Sequence, residues 1–216
     1  MKFRTPPWGG EYMGQKQPDV KKYPIKKYPT IGVCGLDCGL CPRYYTIGPS
    51  RCPGCAGPDF FNKHPSCSFI TCCVKKKNLE VCGECSEFPC SKFKGNEEYQ
   101  QLKESSSYPS YKKVMPNLNL IKEQGIKKFI EQQKKKIKLL ETTMENFDDG
   151  RSRSFFCKEV ALLDLTSLES VLDEANQKIK IDNIKPDDIK IKAKILKGIL
   201  NEIALKEGIA LTKKKS

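Results

Sequence analysis

The sequence predicts an α-dominated fold, in which a small cysteine-rich module with little regular structure is followed by an all-α, lysine-rich helical region. Three observations predict it. Eleven of the twelve cysteines lie between Cys34 and Cys90, in a stretch punctuated by Gly and Pro turns. From about Glu97 onward, apolar residues recur at helical spacing. Hydrophobic residues make up only 38% of the chain and charged residues 30%, which favours solvated helices over a large buried sheet.

Residues 1–33 hold Pro6, Pro7, Gly9, Gly10, Gly14, Pro18, Pro24 and Pro29, with the repeated tetrapeptide Lys21-Lys22-Tyr23-Pro24 and Lys26-Lys27-Tyr28-Pro29. They predict an irregular basic arm whose aromatics Trp8, Tyr12, Tyr23 and Tyr28 pack back on the body. Residues 34–95 form the cysteine module, and residues 96–216 the helical region. A first helix near 117–141, capped by Asn117, carries Ile121, Ile126, Phe129, Ile130, Ile137 and Leu140, with Gly125 as a weak point and Lys134 to Lys136 on the wet side. After a turn at Asp148-Asp149-Gly150, Phe155, Phe156, Val160 and Leu163 predict a helix near 153–164. Thr166 with Glu169 makes a capping-box start for one near 167–178. Pro186, Asp187 and Asp188 suit the first turn of a last helix near 186–206, which Gly208 ends. Ile209 to Leu211 add a short strand, and Lys213 to Ser216 a frayed tail.

Met1 to Gly10 has no apolar core of a signal segment, and no run approaches the roughly 18 apolar residues a membrane span needs. The expectation is a soluble cytoplasmic protein with no membrane partner. In a reducing compartment thiols stay free for metals or catalysis. Three pairs have Cys-x2-Cys spacing: Cys38 with Cys41, Cys52 with Cys55, and Cys82 with Cys85. A tight turn of that spacing aims two sulfurs at one ion, as in structural zinc sites. The module is therefore expected to be metal-stabilised.

Zinc held by thiolates alone takes four of them, so eleven cysteines supply two sites with three left over. The single histidine, His64, would raise the ligands to twelve and the sites to three, although adjacent Cys72 and Cys73 rarely serve one ion and a His beside Pro65 also reads as a surface residue. The cofactor expected is zinc, two or three ions. An iron-sulfur cluster is the alternative, since Cys38-Gly39-Leu40-Cys41-Pro42 has the ferredoxin-type spacing and trailing proline. Paired knuckles scattered from Cys34 to Cys90 favour the stapling of loops by zinc. Each four-thiolate zinc carries a net −2, so two of them bring the formal +13 down to about +9.

Other chemistries fit less well. Cys34-x3-Cys38-x2-Cys41 has the spacing of a radical-SAM cluster loop, but further knuckles follow where a barrel of strands and helices would be needed. Cys82-Gly83-Glu84-Cys85 as a redox pair lacks a strand-turn-helix context. Cys157 reads as a small buried residue rather than a nucleophile, and the pairs Asp148-Asp149 and Asp187-Asp188 sit at a turn and a helix start. The basic charge is spread along the chain without a concentrated stripe. A nucleic-acid reading would use Arg43, Arg51 and Lys75 to Lys77 on phosphate and Tyr44 or Phe61 on a base.

The string Val33-Cys34-Gly35-Leu36-Asp37-Cys38-Gly39-Leu40-Cys41-Pro42-Arg43-Tyr44-Tyr45-Thr46, then Arg51-Cys52-Pro53-Gly54-Cys55, resembles an uncharacterised prokaryotic family, domain of unknown function 3795. Cys82-Gly83-Glu84-Cys85-Ser86-Glu87-Phe88-Pro89-Cys90 fits the same pattern, with Cys67 and Cys72 between. The segments from Asn119 to Ile126 and from Asp149 to Cys157 resemble extensions found in such proteins. The resemblance implies metal binding, zinc being the usual suggestion, at Cys34, Cys38, Cys41, Cys52, Cys55, Cys67, Cys72, Cys82, Cys85 and Cys90. Cys73 is a local addition, and a cysteine pair that some relatives carry after the long helix is missing from Lys136 to Glu145. The function expected is a structural or interaction module with an unknown macromolecular partner, protein or nucleic acid. The alternatives are an iron-sulfur redox protein or enzyme, and a nucleic-acid-binding protein.

Overall fold

The computed structural model describes residues 25–64, 67–93 and 109–209. Most of the arm with Trp8, Tyr12 and Tyr23, the helical onset near Glu97, residues 210 and 211 of the expected strand and the tail all lie outside the described residues. Among the described residues there is no strand, and no helix is long and apolar enough to cross a membrane. The α-dominated expectation holds.

The cysteine module is a chain of turns. Single 3-10 turns run over Cys38–Leu40, Pro42–Tyr45 and Cys82–Glu84. Two short helices, α1 (Phe60–Lys63) and α2 (Ser68–Ile70), complete it, the second passing directly into a π-helical turn over Thr71–Lys76. A further 3-10 turn, Pro109–Lys113, leads into the helical body: α3 (Val114–Gln124), α4 (Ile126–Phe147), α5 (Arg153–Leu162), α6 (Leu165–Glu169), α7 (Val171–Ile181) and α8 (Ile189–Lys206).

Several helix ends differ from the sequence reading. The long helix is two: Gly125 adopts φ +83°, which α-helical backbone does not allow, so α3 ends there and α4 starts anew. Asn117 caps nothing. It lies inside α3, and its side-chain amide donates to the Gly35 carbonyl at 2.9 Å. Thr166 is likewise interior, because the chain turns into α6 at Asp164 and breaks again at Ser170. Pro186 precedes the last helix, which begins only at Ile189. Gly208 does end α8: at φ +68° it donates to Leu205 O at 3.1 Å while Ile209 donates to Ala204 O at 2.8 Å, the paired bonds of a Schellman motif. Asn183, at φ +50°, ends α7 in the same way, with bonds to Lys180 O and from Ile184 to Ile179 O.

Two hydrophobic cores hold the molecule together, and the first crosses from module to helices. Ile31, Val33, Ala56, Phe60, Ile70, Val81, Phe88 and Phe93 pack with Val114, Leu118 and Ile121 of α3 and Phe129 and Ile130 of α4, and Tyr28 lies against them. The second joins Leu40 and Tyr45 to Leu140, Phe147, Phe156, Val160, Leu168, Leu196 and Leu200 of the helical body. The motif glycines explain how closely module and helix approach. A Cβ on Gly83 would stand 2.6 Å from Leu118 O. One on Gly35 would stand 2.6 Å from both Leu118 Cγ and Val114 O. No side chain larger than hydrogen fits at either place without moving α3.

A buried polar contact fixes α4 on the same module. The Gln133 amide donates to Asp37 Oδ1 at 2.6 Å and to Thr30 O at 2.9 Å, and accepts from Thr30 Oγ1 at 2.7 Å. Burial pushes the Asp37 carboxyl up to about 6, against the opposing effects of Gln133 and Lys136. Lys136 is therefore not on the wet side with Lys134 and Lys135. Its ammonium donates to Leu163 O at 2.5 Å, and burial brings it down to about 8.

Candidate metal centre

Each cysteine is set by a local turn. Gly32 donates to Leu36 O at 2.6 Å and Gly35 to Gly32 O at 2.8 Å, which fold a loop around Cys34. Cys41 N–H closes the Cys38 turn at 3.2 Å, and Cys85 N–H closes the Cys82 turn at 3.0 Å. The Glu84 carboxylate caps that second turn by accepting from the backbone of Glu80 and Val81. The Cys52-Pro53-Gly54-Cys55 knuckle is built differently, with Gly54 at φ +87° and Cys55 N–H donating to Pro29 O at 2.8 Å. A Cβ on Gly54 would meet that same Pro29 O at 2.4 Å, so only glycine lets the two strands of chain touch.

These turns sort the sulfurs into groups. Cys34, Cys38, Cys55 and Cys67 are electrostatic neighbours: Cys34 feels Cys55 and Cys67, Cys38 feels Cys55 and Cys34, and Cys55 feels Cys67. Burial is the first cause that pushes the Cys34, Cys38 and Cys55 thiols up, Cys34 to about 12. Cys55 Sγ accepts the Val33 N–H at 3.4 Å. Opposing burial are backbone hydrogen bonds, from Leu36 to Cys34 and from Val33 to Cys55, and the charge of Lys26, which the sequence reading placed in the arm without a role. It is only 4% exposed, its Nζ donates to Ile31 O at 2.6 Å, and its charge favours the thiolates of Cys34, Cys38, Cys55 and Cys73. Among the described residues it has no salt bridge to a carboxylate.

A second group lines one depression: Cys72, Cys73, Cys82, Cys85 and Cys90, with Lys77, Glu87, Phe88, Lys92 and Phe93. Cys72 and Cys73 come from the π-helical turn, where Lys77 N–H bonds Cys72 O at 3.2 Å and Leu79 N–H bonds Cys73 O at 3.0 Å. The Cys73 and Cys82 side chains are hydrogen-bonded to each other, which pushes Cys82 up and Cys73 down. Lys77 Nζ donates to Cys85 Sγ at 3.3 Å and to Glu87 Oε1 at 2.5 Å.

Cys41 and Cys52 border the first set, Cys41 acting on Cys38 and Cys52 on Cys55. They neighbour one another, and Cys52 Sγ lies 3.3 Å from His64 Nε2. Cys157 is fully buried on α5 in the second core, where burial raises its thiol to about 12. Among the described residues no three or more His, Cys, Asp or Glu side chains already stand as a set that could hold one ion. The donor chemistry is nonetheless that of thiolate-binding metals, because many soft sulfurs and a buried compensating cation occupy a loop scaffold with few other polar groups. Of the residues named for nucleic acid, Arg51 donates to Tyr44 O at 3.0 Å and lies over the Tyr44 ring at 5.3 Å, and Phe61 stands edge-on to Phe60, whereas Arg43, Lys75 and Lys76 are exposed.

Lys26, Asp37 and Gln133 are the residues that sequence reasoning missed. Lys26 and Gln133 look like ordinary surface residues in sequence. Asp37 alone carried a signal, since a carboxylate inside Cys34-Gly35-Leu36-Asp37-Cys38 stands among buried positions.

Residues 30–95 match a family model described as protein of unknown function (DUF3795), which bears out the resemblance drawn from the cysteine pattern. No curated protein and no solved structure matches the chain.

Proposed function

We propose that residues 30–95 are a zinc-binding module with a structural role, in which thiolate-bound metal locks a platform of turns onto α3 and α4. The observation that carries this reading is Lys26. An ammonium buried among neutral thiols is costly without a counter-charge, whereas a zinc held by four thiolates bears a net −2 and supplies one. Cys34, Cys38, Cys55 and Cys67 would hold one ion. Cys72, Cys82, Cys85 and Cys90 would hold another, with the Lys77 ammonium, already paired with Glu87, donating to Cys85 Sγ beside it. Bound there, zinc supplies cross-linking rather than chemistry, since a four-thiolate ion has no open position. The exposed lysines of α4, Lys127, Lys128, Lys134, Lys135 and Lys138, are the surface offered to a macromolecular partner of acidic character.

Metal analysis with an absorption spectrum, on full-length protein purified without oxygen and without a metal-affinity tag, tests the reading. A colourless protein containing zinc, from which a strong chelator removes the metal and collapses the near-UV signal of the module, is the expected result. Structural zinc contributes about 10–16 kcal/mol to the folding of small thiolate modules, so the loss should be large. Lys26→Met should lower zinc affinity at least tenfold in chelator competition. A brown protein with iron and acid-labile sulfide would replace zinc by a cluster, and a metal-free, fully folded chain would end the reading.

A further inference from the structure

We infer that Cys73 is the redox partner of Cys82, and that hydrogen peroxide closes the two into a disulfide. Its effect on metal rests on the reading of the module as zinc-binding. Cys72, Cys73, Cys82, Cys85 and Cys90 line one depression, and a tetrahedral ion takes four of these sulfurs. Cys73 is the one outside the cysteine pattern that carried the family resemblance, and its side chain is the one in hydrogen-bonding contact with Cys82.

The backbone holds this pair together. Cys73 sits in the π-helical turn Thr71–Lys76, and Asn78, at φ +52°, folds the chain back beside it. Leu79 N–H donates to Cys73 O at 3.0 Å, and Cys73 Sγ in turn donates to Leu79 O at 3.5 Å. Further along, Cys82 N–H donates to Val33 O at 2.9 Å, and Gly83 is pressed against Leu118 O of α3. Both cysteines belong to the first core, together with Val74 and Val81 beside them. Closure therefore calls for movement of side chains already in contact, not for a new path of the chain.

The chemistry balances with one peroxide. One sulfur, as its thiolate, attacks a peroxide oxygen; the O–O bond breaks, and a sulfenic acid and one water form. The second sulfur attacks the sulfenic sulfur, the S–O bond breaks, and a second water leaves. Two thiols are oxidised to a disulfide, and their two electrons reduce the peroxide to water. Cys73 and Cys82 are 3% and 8% exposed, so a small hydroperoxide entering by the depression suits them better than a bulky disulfide. Once the bond is closed, Cys82 has no thiolate left for zinc, and the second proposed set falls to Cys72, Cys85 and Cys90.

Peptide mapping and zinc release on full-length protein purified without oxygen test the pair. Lys75 to Lys77 lie between the two cysteines, so trypsin parts them and a joined peptide reports the link. After one equivalent of hydrogen peroxide and capping of the remaining thiols, fragmentation is expected to place the disulfide between Cys73 and Cys82, with one zinc ion released per chain. Dithiothreitol followed by zinc should restore both. Cys73→Ser should hold as much zinc as wild type and release it about tenfold more slowly at the same peroxide concentration, and Cys73→Ala should match it. A first disulfide that joins Cys82 to another cysteine, or equal release from wild type and both Cys73 variants, overturns the pair and leaves the zinc reading intact. The Cys73–Cys82 link formed in a wild type that holds no zinc ends the zinc reading and leaves the pair standing.

Discussion

Truncation of Leu118 to alanine tests the docking of the cysteine module on α3. Leu118 is fully buried, with the backbones of Gly35 and Gly83 against it. The loss of three carbons costs about 2.4 kcal/mol in transfer free energy at roughly 0.8 kcal/mol per group. The cavity adds to this because neither glycine has a side chain that could swing into the gap, which brings the expected loss to about 3–5 kcal/mol. That is a large share of a total stability on the order of 5–15 kcal/mol. Urea unfolding at fixed zinc concentration, followed by far-UV circular dichroism, reads the difference. Glycine substitutions sharpen the test. The Cβ of Gly83→Ala meets Leu118 O, a backbone atom that Leu118→Ala leaves in place, so Leu118→Ala should not relieve that clash. Half of the clash in Gly35→Ala is with Leu118 Cγ, so Leu118→Ala should relieve part of it. A loss below about 1 kcal/mol for Leu118→Ala, or rescue of Gly83→Ala by it, would refute the docking geometry.

Two further predictions concern the helical body. Glu159 on α5 is fully buried, and among the described residues neither carboxylate oxygen has a hydrogen-bond partner; Lys158 approaches only to 3.9 Å. Burial raises its carboxyl from 4.5 to about 7, so the folded state holds a proton that the unfolded state releases. Its contribution to stability is present below about pH 4.5 and is lost as the pH rises through 7, by roughly 3 kcal/mol in all. Glu159→Gln should flatten that pH dependence and be more stable than wild type at pH 8; equal slopes in thermal melts across this range would count against it. Asn183 ends α7 in the left-handed region at φ +50°, so Asn183→Gly should stabilise the protein by about 0.5–1 kcal/mol, and a lower melting temperature would contradict the assignment of that turn.

Much of the fold was legible in the sequence where one local rule decides the outcome. Ile121, Phe129, Ile130 and Leu140 recur at helical spacing and are all buried, and Gly208 stops α8 because a left-handed residue is needed there. Boundaries failed where two local rules competed. Asn117 and Thr166 have capping chemistry, but the chain enters each helix earlier, at Lys113 and Asp164, because Val114 and Leu168 are drawn fully into the cores. The identity of the cysteine turns was likewise legible, since Cys-x2-Cys with glycine has few conformations.

By itself the sequence determined that sulfur ligands would be presented on tight turns and that amphipathic helices would follow, because turn chemistry and hydrophobic period act over a few residues. Tertiary structure alone decided which sulfurs became neighbours, that Lys26 would be buried beside them, and that Lys136 would leave the solvated face. It also decided that Gln133 would reach Thr30 and Asp37, some hundred residues earlier in the chain. These outcomes depend on which surfaces meet when module and helices share a core. A lysine or glutamine carries the same local preferences whether its neighbour in space is water, a carboxylate or a thiol.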